Sequence, residues 1–174
     1  MNRSLLALAI VAGVGVATAQ AESPAELSDL EIAHVAYVAD NIDIRYAHLA
    51  LAISDNVAVR QFAETMIRDH TAVNEQALAL LAKLKAEPVD NFLSKSLVAN
   101  SGKLINEMSK LRGVDFDRRY AQNELDYHKA VNNLVANSFI PNIENAEVRD
   151  LFKAGLEIFK AHEQHASTVA DQMK

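Results

Sequence analysis

The run from Val57 to Lys85 constrains this chain more than any other stretch, because it contains neither glycine nor proline and keeps one apolar periodicity throughout. Counting at helical spacing from His70, the same face carries Val59, Ala63, Met66, Ala77, Leu81 and Leu84. A long helix is therefore expected here, with a titratable ring in the middle of its core-facing stripe. Standing alone, His70 would read as a core histidine with a hydrogen-bond partner. It does not stand alone.

Helix breakers are scarce along the rest of the chain. Beyond the first 21 residues they comprise Gly102, Gly113 and Gly155 with Pro24, Pro88 and Pro141. Few turns can be made from these, so a few long helices are expected. Ile32, Ala36, Ala39, Ala47 and Ala50 mark a first helix from Ser28 to Ser54. Ser54-Asp55-Asn56 then supplies caps for the second, which runs to about Ala86 before Glu87-Pro88 stops it. Val89 to Ser94 reads as a connection, and Leu97, Leu104, Met108 and Leu111 mark a shorter helix ending at Gly113. A third long helix begins near Asp115 and ends near Ile140, where Pro141-Asn142 breaks it, and a fourth spans about Asn145 to Gln172. No alternating strand pattern, internal repeat or low-complexity tract interrupts this order. The predicted fold is all-α: a ferritin-like four-helix bundle whose long connection between the second and third long helices carries a short helix and makes those two run parallel.

The first residues read differently. One positive charge at Arg3, an uncharged run from Leu5 to Ala17 and Ala19-Gln20-Ala21 form the pattern of a secretory signal peptide, so cleavage after Ala21 is expected. Residues 22–174 then form a single domain, with no later segment apolar enough to span a bilayer. The expected compartment is a bacterial periplasm. With 23 acidic against 17 basic residues and a formal net charge of −6, the chain has no electrostatic case for binding nucleic acid. It has no cysteine, which excludes disulfides, thiolate metal sites and cysteine nucleophiles. Alanine-rich helix faces are compatible with a homodimer, and no protein partner can be named.

Each long helix embeds ionisable groups in its inward stripe: Asp43 in the first, His70 in the second, Glu124 and His128 in the third, His162 in the fourth. Their depths agree. Asp43 lies 11 residues before Ser54, His70 14 after Asn56, His128 14 and Glu124 10 after Val114, and His162 10 before Gln172. At a rise of about 1.5 Å per residue, that spread of four residues is only about 6 Å. Buried ionisable groups must pair or hold a metal. Two readings follow: one transition-metal ion (Zn, Fe, Cu, Mn or Ni) held by some of Asp43, His70, Glu124, His128 and His162, or a metal-free polar layer completed by Tyr46 or Tyr120. Asp69, rotated about 100° from His70, suits a supporting partner to the ligands. Asp117, Tyr120 and His165 are further candidates for that supporting shell. His34 and His48 face away from Asp43 and are expected in solvent, as is the motif Glu31-x-x-His34.

Asp69-His70, Phe116-Asp117-x-x-Tyr120, His128 and His162, in that order, resemble the DUF4142 family of exported bacterial proteins over nearly the whole mature chain. The resemblance implies a ferritin-like helical fold and no settled activity. It marks His70, Asp117, Tyr120, His128 and His162, with an acidic residue at Asp43 that is glutamate in many members. The paired inward E-x-x-H motifs of di-iron proteins are missing, as are G-x-S-x-G, a P-loop, a dinucleotide fingerprint and H-E-x-x-H. The leading expectation is thus a metal-binding periplasmic domain serving metal handling or stress protection, with a non-enzymatic envelope interaction module as the alternative. An enzyme using a metal-bound water or redox chemistry has no motif in its favour.

Overall fold

The computed structural model describes residues 23–174, so the expected signal peptide lies outside the described residues. Among the described residues, five α-helices follow a single 3₁₀ turn: α1 Asp29–Ile53, α2 Val57–Leu84, α3 Phe92–Met108, α4 Gly113–Leu134 and α5 Ala146–Gln172. There is no strand among the described residues, and the chain forms the expected all-α bundle.

Local chemistry sets the helix starts. The Ser28 hydroxyl accepts from the Glu31 N–H while the Glu31 carboxylate accepts from the Ser28 N–H, a reciprocal cap opening α1. Glu31 is thereby spent on capping. Asn56 caps α2 and Asn145 caps α5, each side chain accepting from two backbone N–H groups. Asn91 does the same for α3 with Ser94 completing a capping box, so this helix starts inside the stretch expected to be a connection. Gly113 opens α4 rather than closing α3, at φ +56°, a conformation that glycine adopts without the steric cost of a Cβ. At the far end of α4, Val135–Phe139 widens into a π-helical turn in which Ile140 N–H donates to Val135 C=O at 3.0 Å. Pro141 brings no N–H and its ring opposes continuation of the ladder, which accounts for the break there.

α1 packs chiefly on α2, α4 on α5, and α3 lies against α1. At one end of the bundle the Ser54 hydroxyl donates to Asp117, and Arg118 Nε donates to the Met173 carbonyl at 3.0 Å. At the other, the Asp29 carboxylate accepts from the Glu144 and Asn145 N–H groups at 3.0 and 2.8 Å. Two apolar clusters fill the interior. One is built around Tyr46, Phe62, Met66, Phe116 and Tyr120, the other around Ile32, Val35, Phe139 and Ile143. Asp40 and Asp43 on α1, His70 on α2, Glu124 and His128 on α4 and His162 on α5 lie near the level where the two clusters meet, so a polar layer divides the core. No helix among the described residues is long and apolar enough to cross a membrane.

Candidate metal centre

Asp43, His70, Glu124, His128 and His162 all lie in this layer, each no more than 4% exposed. The three imidazoles form a triangle, with ring centroids 5.7 Å apart for His70 and His128, 5.2 Å for His70 and His162, and 5.5 Å for His128 and His162. One ligand atom from each lies within 4.8 Å of the other two, and the same holds for Asp43, Glu124 and His128. His128 belongs to both triads.

Every ring has one nitrogen anchored outside the triangle. His70 Nδ1 is 2.8 Å from Asp40 Oδ1, His162 Nε2 is 3.0 Å from Asp69 Oδ2, and His128 Nδ1 is 2.9 Å from the Glu124 carbonyl oxygen. A carbonyl only accepts, so His128 Nδ1 must carry the proton, and in the neutral ring Nε2 then presents a lone pair. The opposite nitrogens, His70 Nε2, His128 Nε2 and His162 Nδ1, are buried without a hydrogen-bond partner. So are both oxygens of Asp43 and Glu124 Oε2. Orphaned polar atoms in a core cost about 1–3 kcal/mol each, and here they are gathered in one place.

The electrostatics divide the three imidazoles. Burial lowers the basicity of His70, but Asp43 and the hydrogen bond that His70 donates to Asp40 outweigh it and raise its pKa to about 9. Burial lowers His128, against the pull of Asp43, and takes His162 down to about 4 despite the Asp69 hydrogen bond. Both rings remain neutral near pH 7. Burial and then the neighbouring Asp43 push Glu124 well above the carboxylate range, and burial raises Asp40 against the opposing effect of His70. Carboxyl groups crowded around neutral imidazoles in a closed core need a positive charge, supplied by a proton or a cation.

Asp43 Oδ2 stands 3.4 Å from His70 Nε2 and 3.4 Å from His128 Nε2. Both separations exceed the roughly 2.7–2.9 Å of a charge-assisted hydrogen bond. Ligands about 2.1 Å from a tetrahedrally coordinated ion are separated by about 3.4 Å, the spacing that these two pairs show.

Other candidates take different places. Asp69 reaches His162 from the edge, with its carboxylate also bound by Arg68 Nε at 2.6 Å. Tyr120 is wholly buried, stacked on Phe116 with its hydroxyl unpartnered, and its phenol is raised by burial and by Glu124. Asp117 belongs to the end of the bundle, where it binds Ser54. His165 is exposed, its ring edge-on to Phe62 with centroids 5.0 Å apart. Neither Asp117 nor His165 has a hydrogen bond or ion pair to a residue of the layer. His48 is exposed, while His34 is partly buried beside Asp90 at 3.5 Å.

Sequence reasoning missed Asp40. Only 5% exposed, it makes the closest side-chain contact to His70. Its signal was present: Asp40-x-x-Asp43 puts two acids on adjacent lines of α1. Phe159 was missed too, and it stacks on His70 at 4.9 Å with the rings 10° from parallel.

The fold and layer define an all-α helical bundle with a buried histidine–carboxylate cluster competent to bind a metal ion. Residues 14–169 match the family model described as Domain of unknown function (DUF4142), and the chain belongs to that family. No curated protein and no solved structure matches it.

Proposed function

We propose that the chain is a ferritin-like, periplasmic metal-binding domain that holds one transition-metal ion at the centre of the bundle, in the service of metal handling or stress protection. His70, His128 and Asp43 form the proposed primary set, with His162 and Glu124 completing it. The carrying observation is the pair of 3.4 Å separations between Asp43 Oδ2 and two inward-facing imidazole nitrogens, each buried without a hydrogen-bond partner. Asp40, Asp69 and the Glu124 carbonyl orient the three rings by their outer nitrogens, the support that metal-ligating histidines ordinarily receive. Imidazole with carboxylate suits Zn, Fe, Mn, Cu or Ni. The periplasmic assignment rests on the leader pattern of the first 21 residues.

The test is export with the native leader, purification without chelator or affinity tag, and elemental analysis by mass spectrometry. About one equivalent of a transition metal, lost in His70→Ala and His128→Ala, is the expected result. Metal that stays far below one equivalent after supplementation would overturn the proposal. The raised pKa of His70 favours a second reading, in which a proton takes the place of the cation and the layer fixes helix register in a metal-free interaction module.

A further inference from the structure

A cavity of about 150 Å³ is lined by residues of α1 to α5 and by the π-helical turn. Val35, Val135 and Phe139 in its wall belong to the second apolar cluster, and the last two open and close the π turn. Such turns recur at functional sites. Native cores hold few voids larger than a water molecule, so an apolar space of this size is an exception to be explained. Half-buried Tyr37, Leu151 and Phe152 and exposed Ala130 also border it, so it reaches the surface and a ligand can enter.

The surface of this space is almost wholly apolar. Three polar groups of its lining residues are engaged or sealed off. Asp40 Oδ1 is bonded to His70 Nδ1 at 2.8 Å, the Tyr127 hydroxyl donates to the Ala39 carbonyl at 2.9 Å, and Asn74 Oδ1 has less than 1 Å² of accessible surface. A buried water needs about two to four polar partners, whereas an apolar cavity of about 150 Å³ stays dry and takes up a molecule the size of benzene. Tyr37, Tyr127, Phe139, Phe152 and Phe159 bring rings to the wall, and offset or edge-on pairing with them favours an aromatic guest.

From this geometry we infer that the cavity is a binding site for a small uncharged aromatic hydrocarbon, held by burial and ring contacts without a polar anchor. The inference goes beyond the metal reading and does not depend on it. The volume admits a body of about six to eight carbon atoms. No lysine or arginine lines the space, so a carboxylate or phosphate carried on the ring would be buried without a partner.

Calorimetric titration of the purified chain in chelator, with toluene and separately with benzoate, tests this. Saturable one-site binding is expected for toluene and none for benzoate, which has a ring of the same size and a charge. In methyl-labelled protein, the shifts caused by toluene should centre on Val35, Val131 and Leu134, which locates the ligand without any substitution. Two variants fill the space from different helices. A Cβ at Gly155 on α5 meets only the Phe159 ring, at 3.6 Å, so Gly155→Leu should fold; Ala77→Leu enters from α2. Both should keep the wild-type circular dichroism and lower toluene affinity at least about tenfold, because the apolar area left to bury shrinks. Absence of saturable toluene binding, benzoate binding as tightly, methyl shifts centred elsewhere, or wild-type affinity in a folded filling variant would each overturn the inference. With metal removed throughout, these outcomes are the same whether or not the polar layer holds an ion.

Discussion

Removing metal with a chelator and raising the pH probes His70. Its pKa is about 9 in the fold because Asp43 and Asp40 outweigh burial, against an ordinary value of 6.5. A pKa raised in the folded state contributes stability that is complete below pH 6.5 and is lost as the pH rises through about 9. At about 1.4 kcal/mol per tenfold change in proton affinity, the whole contribution is on the order of 3 kcal/mol. For a domain of this size that corresponds to a fall in Tm of roughly 6–12 °C. His128 and His162 do not interfere, because their lowered pKa values act below pH 6.5. Bound metal cancels the slope: His70 must release its proton to coordinate, so affinity rises about tenfold per pH unit towards pH 9 and offsets the loss. The assay is urea or thermal melting at pH 6.5, 7.5 and 9, in chelator and in excess zinc. The stabilisation by zinc should widen with pH, while the chelated wild type loses stability and chelated His70→Asn loses markedly less. A chelated wild type equally stable at pH 6.5 and 9, or His70→Asn retaining the wild-type slope, would refute the reasoning.

Three further outcomes follow from the same geometry. Asp40→Asn leaves an acceptor for His70 Nδ1 but removes the charge, and should weaken metal binding about 10–100-fold in a competition titration while the bundle stays folded. His162→Ala should weaken metal binding and His165→Ala should leave it unchanged, since one ring is in the layer and the other at the surface. Phe62→Ala empties a fully buried site between Tyr120 and His165 and should cost about 3–5 kcal/mol in urea denaturation, with or without metal.

How far the site could be read in advance depended on which physical rule applied. Apolar stripes at helical spacing and scarce breakers are local properties, so the helices and their inward faces followed from the sequence. Boundaries moved where capping was local but reciprocal: Asn91 with Ser94 starts α3 early, and Gly113 begins a helix instead of ending one. Face and depth counting put Asp43, His70, Glu124, His128 and His162 at one level because a helix rises uniformly. Asp117 shares a face with His128 but lies 11 residues away along α4, roughly 16 Å, and is held by Ser54 at the bundle end.

What the sequence determined by itself was therefore a bundle with ionisable groups in its core, because helical period and the cost of burying charge act along one chain segment at a time. Which nitrogen of each ring is anchored, that Asp40 rather than a candidate ligand holds His70, and that Asp43 Oδ2 stands 3.4 Å from two imidazoles were decided only by the tertiary structure. Those facts depend on rotation and separation between helices, where a few tenths of an ångström distinguish a hydrogen bond from the edge of a coordination shell, and no single-helix pattern carries that information.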